Sequence, residues 1–285
     1  MYEQHFKLRE LPFALTPDPS FLYLSTEHRH AMTLLRYGVV SNAGFALLTG
    51  EVGSGKTLLI RQLLAATLGN VAIGLVSNTS RQFSRLLQWV CLAFGLDHQG
   101  KDDASLYQTF VDFLVRSYAE NRRVILIVDE AQNLGVELLE ELRVLSNVNA
   151  DKHMVLQTFL VGQPELRETL KLPQLRQFAQ RISIDHHLTP LKRAETVAYV
   201  RHRLKVAGGD PDLIQVAAIE LAYESSGGVP RLINQLCDTA LVHGFAEQRQ
   251  RIDAELMGQV IAERVAGGIF PGRVVHPPLQ PAAAR

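Results

Sequence analysis

Eight residues, Gly50-Glu51-Val52-Gly53-Ser54-Gly55-Lys56-Thr57, constrain this chain more than any other stretch. They fit G-x-x-x-x-G-K-[ST], a phosphate-binding loop that needs a strand before it and a helix after it. Phe45-Ala46-Leu47-Leu48-Thr49 is apolar and short enough for a buried strand, and Leu58-Leu59-Ile60-Arg61-Gln62-Leu63-Leu64 reads as a helix. Glycine at 50, 53 and 55 lets the backbone turn tightly around a polyphosphate, since it carries no Cβ and tolerates positive φ. The N–H groups from Gly50 to Leu58, with the start of the following helix, would form an anion site. Lys56 would bring a positive charge to the β- and γ-phosphates, and Thr57 a hydroxyl to Mg²⁺. The plainer alternative, a glycine-rich turn that binds nothing, fits the flanking elements poorly.

A second motif lies downstream. Val124-Ile125-Leu126-Ile127-Val128 is a run of five apolar residues, which predicts a central parallel strand covered on both faces. Asp129 and Glu130 follow at its carboxyl end, where open α/β sheets place ligands. This is the Walker B pattern: Asp129 would hold Mg²⁺ and Glu130 would orient the attacking water. Gln163, after a further strand predicted over 154–161, would reach the same edge. It either contacts the γ-phosphate or the water, or only starts a turn.

The chain divides into an N-terminal arm over 1–24, an αβα domain over 25–190, an all-helical segment over 191–266 and a tail over 267–285. Pro12, Pro17 and Pro19 make the arm irregular, while Phe6, Phe13, Phe21 and Tyr23 predict that it packs down. Pro12 and Phe13 are either core residues or the border of an adenine pocket. Helices are expected from Ser25 to Ser41, from Phe83 to Phe94, over 104–119, 135–147 and 165–180. Strands are expected over 71–76 and 182–188. Beyond Pro190 helices are expected over 192–207, 212–225, 230–246 and 253–265, punctuated by Gly208-Gly209-Asp210-Pro211 and Gly227-Gly228-Val229-Pro230. Arg231 stands in the first turn of its helix, a poor place for a cation facing only solvent. An anionic partner such as a phosphate, or a salt bridge, would explain it. The Pro/Ala-rich tail is expected to be disordered.

Other features narrow the class. Lys+Arg and Asp+Glu both number 29, so a strongly basic nucleic-acid binder is not indicated. No apolar run is long enough for a membrane span, and the start lacks the pattern of a signal peptide. Cys91 and Cys237 fall in apolar helical patterns and read as buried reduced thiols, which with the rest suggests the cytoplasm. His186-His187 has no carboxylate or cysteine at ligand spacing, so ordinary strand residues are expected. Trp89 reads as packing.

Five strands interleaved with helices and followed by a helical bundle resemble an AAA+ ATPase, a P-loop NTPase αβα sandwich with a five-stranded parallel sheet and an all-α lid. The similarity sharpens at Tyr2…His5-Phe6-Lys7-Leu8…Pro12-Phe13, Asp129-Glu130-Ala131-Gln132-Asn133-Leu134, Leu160-Val161-Gly162-Gln163-Pro164-Glu165-Leu166 and Gly227-Gly228-Val229-Pro230-Arg231-Leu232-Ile233-Asn234. These stretches resemble the ExeA/GspA (general secretion pathway protein A) family, especially the secretion ATPases found with exopolysaccharide and exosortase loci and the MshM-like ATPases. The resemblance implies ATP and Mg²⁺ as cofactors, Gln163 at the sensor-1 position and Arg231 as the sensor-2 arginine of the lid. It also implies an arginine finger acting on a neighbouring subunit, Arg181 or alternatively Arg176, and hence a homo-oligomeric ring or filament. The implied task is to energise or regulate an export assembly through an inner-membrane secretion or polysaccharide-export partner. ExeA-type proteins commonly continue into a membrane span and a peptidoglycan-binding domain, and neither pattern is found here. Two rival readings share the core: a TnsC/TniB-like transposition regulator acting on DNA, and a nucleotide-switched scaffold.

Overall fold

A computed structural model describes residues 1–66, 69–77, 85–150 and 153–275. The strands are β1 (Phe45–Gly50), β2 (Val71–Val76), β3 (Arg123–Val128), β4 (Asn149–Ala150), β5 (His153–Met154), β6 (Leu156–Gly162) and β7 (Ile182–Leu188). β4 and β5 form a separate antiparallel ribbon, and the other five make one sheet in the order β2-β3-β6-β1-β7. Every neighbouring pair in that sheet is parallel. All five carboxyl ends therefore share one edge, and helical crossovers link the strands.

The chain separates into two compact units. One comprises 26–51 and 59–188, the other 1–25, 52–58 and 189–285. In the first, the five-residue apolar run behaves as its composition requires: Val124 to Val128 are each at most 2% exposed. Burying one such side chain contributes about 1.5–3 kcal/mol, so this strand anchors the sheet. Its neighbours in the core include Leu86, Val90 and Cys91 from the helix Leu86–Ala93, Leu106, Phe110 and Leu114 from Asp103–Ala119, and Leu139 and Leu142 from Gly135–Leu145. Leu86–Ala93 realises the expected helix only in part, because Phe83 lies outside the described residues. The strand expected from Met154 begins instead at Leu156, since Met154 pairs with Asn149 in the small ribbon. The helix Thr26–Ser41 covers β7 and β1. The buried Gln157 side chain on β6 donates to the Gly38 carbonyl at its end, 3.1 Å away.

The second unit is built on the helices Arg193–Val206, Val216–Ser226, Pro230–Ala246 and Ala254–Ala266. The second of these starts at Val216, later than its apolar pattern suggests, because Ile214 is held extended in a parallel bridge to Ile252. The arm belongs to this core. Tyr2, Phe6, Leu8, Phe13 and Phe21 are buried among Tyr199, Val200, Leu204 and Leu241. The arm contains a short helix, Tyr2–His5, despite its prolines. Residues 267–275 also depart from the disorder expected of the tail. Phe270 is buried, and Ser225 and Arg273 exchange hydrogen bonds through the Arg273 carbonyl and amide. The rest of the tail, 276–285, lies outside the described residues.

Arg203 holds the arm. Only 7% exposed, it donates to the carbonyls of Pro12 and Ala14 and to the Tyr199 hydroxyl, and its guanidinium lies 4.6 Å from the Phe21 ring centroid. Tyr199 in turn donates to Asn234, 2.7 Å away, on the helix that carries Arg231. A buried cation is tolerable only with such donors satisfied and ring faces beneath it. Arg203→Met keeps the apolar stem and strands the two arm carbonyls. It should lower stability by about 2–4 kcal/mol, read as a shift in urea midpoint. A shift under half the smaller figure would mean that the arm is held by its aromatics alone.

Candidate active site

The sheet edge explains why the two sequence motifs matter together. The chain leaves β1 there at Gly50 and turns through residues 51–55 into the helix Lys56–Ala66. Gly53 and Gly55 have φ of +80° and +101°, a region closed to most L side chains. Gly53 meets a second constraint within its unit. A Cβ built on it would lie 2.2 Å from Arg231 Cβ, and the Arg231 N–H donates to the Gly53 carbonyl at 3.3 Å. Arg231 thus lies against Gly53, at the first turn of the helix opened by Pro230. Lys56 is 6% exposed and Ser54 is buried, whereas Glu51 and Val52 are exposed.

β3 delivers Asp129 and Glu130 to the same edge, and β6, lying between β3 and β1, delivers Gln163. Glu130 has φ +54°, an unusual backbone for a residue other than glycine. Such conformations persist where their surroundings enforce them. Here the Glu130 N–H donates to Asp129 Oδ1 at 2.9 Å, and Asn133 N–H donates to the Glu130 carbonyl at 3.0 Å. The left-handed turn ends the strand abruptly and swings the glutamate toward Gln163. Gln163 Nε2 donates to Glu130 Oε2 at 3.1 Å. Gln132, to which sequence reasoning gave no role, donates to the same oxygen at 2.6 Å.

A further polar cluster lies at the ends of β1 and β7. Arg167 donates from Nε to Thr49 Oγ1 at 2.6 Å and pairs with Asp185, while Thr49 Oγ1 and His187 Nδ1 are 3.0 Å apart. His187 is therefore engaged with the threonine one residue before Gly50. His186 points the other way, 3.7 Å from Glu27, and burial holds its imidazole below its ordinary pKa. Among the described residues no group of three His, Cys, Asp or Glu side chains is arranged to hold a metal. Both cysteines are buried, and burial pushes both thiols up.

The two candidate finger arginines differ. Arg181 donates to Ser146 Oγ at 2.9 Å and to the Arg143 carbonyl at 3.3 Å, which ties it to the end of the helix Gly135–Leu145. Arg176 opens the short helix Arg176–Ala179 and is exposed.

A parallel five-stranded sheet with a glycine-rich loop between β1 and the next helix and an Asp-Glu pair after β3 has the architecture of a P-loop NTPase fold. Comparison with known proteins agrees: residues 39–170 match the AAA domain family AAA_22. The chain is 42% identical over 255 residues to "General secretion pathway protein A" of Aeromonas hydrophila. The match covers 88% of this chain but 46% of that relative, so this chain spans about half its length. Among solved structures, the ORC2 protein of Aeropyrum pernix (ADPNP-ADP complexes) is similar with TM-score 0.63 and 21% identity, over 88% of this chain and 71% of that one. Cdc6p of Pyrobaculum aerophilum is similar with TM-score 0.66 and 14% identity, over 88% and 70%. At these identities the two structures speak to the fold alone. Among the described residues no helix is long and apolar enough to cross a membrane.

Proposed function

We propose that the chain binds and hydrolyses ATP with Mg²⁺ as an oligomer, and that turnover energises or regulates an export assembly at the cytoplasmic face of the inner membrane. The observation that carries the chemical half is the pairing of Glu130 with Gln163 at the sheet edge that the phosphate loop also leaves. The identity to a general secretion pathway protein supports the export half.

In this reading the N–H groups of residues 50–58 and the Lys56 ammonium hold the phosphates. Thr57 and Asp129 supply the hard oxygen donors that suit Mg²⁺, which when bound neutralises charge on the β- and γ-phosphates. Glu130 accepts a proton from water as its oxygen bonds to the γ-phosphorus, and the bond to the bridging oxygen breaks with its electron pair leaving on ADP. Gln163 orients that water or the γ-phosphate. Arg231 senses the nucleotide from the lid. An arginine from a neighbouring copy stabilises charge on the transferred group. Arg176 suits that last role better than Arg181, because Arg181 is already bonded within its own chain.

Steady-state ATP hydrolysis with and without duplex DNA, at stated moderate salt, tests the assignment. Turnover indifferent to DNA is expected. Strong stimulation that vanishes as salt rises would instead place the protein with DNA-associated regulators, since phosphate contacts weaken steeply with salt. ATP-driven assembly with no turnover would favour the scaffold.

A further inference from the structure

We infer that Gln132 is the positioning residue of the hydrolytic centre: it fixes Glu130 and Gln163 relative to each other, so that the base and the γ-phosphate sensor move as one. The inference rests on the ATPase reading above. Its basis is the use of both ends of one amide. Gln132 Oε1 accepts from the backbone N–H of Gln163 at 3.0 Å. That contact leaves Nε2, the donor end, for Glu130 Oε2 at 2.6 Å. Gln163 closes the triangle with its own Nε2 on the same carboxylate oxygen. The result is a bridge between the end of β3 and the end of β6, two adjacent strands of the sheet.

The local backbone is built for this bridge. Gln132 sits in the single 3-10 turn Ala131–Asn133 that follows the left-handed Glu130, so the reversal at 130 turns Gln132 back toward β6. Gly162, the last residue of β6, gives it room. A Cβ there would lie 2.9 Å from Gln132 Oε1 and 3.4 Å from the Gln132 backbone nitrogen. Gly162 has no positive φ, so its lack of a side chain serves close approach and not an unusual backbone. Neither close relative of glutamine fills position 132 in this arrangement: glutamate offers no donor to Glu130, and asparagine is one methylene shorter.

Reactions of this kind depend on the base being held within hydrogen-bond reach of the water it activates, and a misplacement of about 1 Å can cost about 100-fold. Gln132→Ala should therefore lower kcat by about 10- to 100-fold while the affinity for a fluorescent ATP analogue stays within about twofold, because Gln132 is assigned no contact with the nucleotide. Gly162→Ala attacks the same bridge from the other side and should lower kcat in the same direction. The double variant should fall short of the product of the two single defects, since with the bridge removed the added methyl meets only Leu166 Cδ2 at 2.9 Å and the backbone nitrogen of residue 132 at 3.4 Å. Gln132→Asn should not rescue.

Three results would overturn the inference: kcat of Gln132→Ala within about twofold of the parent, loss of nucleotide affinity in step with kcat, or multiplication of the two single defects. Glu130→Gln run alongside separates this from failure of the wider reading. If that variant turns over normally, the reading of Glu130 falls; if it is silent while Gln132→Ala is normal, only the role of Gln132 falls.

Discussion

Lys56→Ala should leave a folded protein that no longer holds a nucleoside triphosphate tightly. The lysine opens the helix Lys56–Ala66, where the N–H groups of the first turn have no carbonyl partner within the helix. Those amides and the helix dipole would attract a phosphate, but in the proposed site the Lys56 ammonium, a compact charge reaching the β- and γ-oxygens, would provide the larger contribution. A charge-assisted hydrogen bond is worth about 1.5–3 kcal/mol, and every 1.4 kcal/mol is about tenfold in affinity. Two such bonds lost together predict at least about a 100-fold weaker dissociation constant. Titration with a fluorescent ATP analogue reads this directly. Because Lys56 is buried at the start of a helix, circular dichroism of the variant must show the parental helix content for the comparison to hold. Unchanged affinity in a folded variant would remove residues 50–57 from nucleotide binding, and the rest of the mechanism with them.

Much of the scaffold was legible in the sequence because its signals are local. A continuous apolar run such as Val124 to Val128 can satisfy both faces only inside a parallel sheet. The glycine-rich loop declares its own strand and helix. What was not legible is what the chain brings together from far apart. The strand order, with β6 between β3 and β1, has no local signature, yet it is what places Gln163 beside Glu130. Gln132 was visible as a letter after the acidic pair, but nothing in its neighbours announces a hydrogen bond to residue 163. The arm illustrates the same limit. Its aromatics predicted burial, whereas their anchor, Arg203, stands about 190 residues later, in the helix Arg193–Val206. Arg231 was singled out for its position in a helix first turn, and the structure adds the reason that position 53 must be glycine.

Glu130→Gln should bind ATP normally and hydrolyse it very slowly. The geometry makes this substitution unusually clean. Gln132 and Gln163 both donate to Oε2 of Glu130, and the carbonyl oxygen of a glutamine can occupy that place and accept both bonds. Orientation is kept, and what is lost is the capacity to take a proton. General-base catalysis contributes about 10²- to 10⁴-fold, so single-turnover hydrolysis should fall by about that factor while analogue affinity stays within about twofold. Near-normal hydrolysis would remove Glu130 from the chemistry. The same variant tests how sites are shared. In a ring or filament with heterologous contacts, each site meets a different face of the next copy. Arg176→Ala should be silent alone if Arg176 acts on the neighbour's nucleotide. Mixed one to one with Glu130→Gln, random assembly leaves about one junction in four with an intact glutamate facing an intact arginine, so turnover should reappear. Recovery with Arg181→Ala but not with Arg176→Ala would move the finger to Arg181 and require its bonds to Ser146 and Arg143 to open on assembly. No recovery with either, in mixtures proven to co-assemble, would mean that each chain completes its own site.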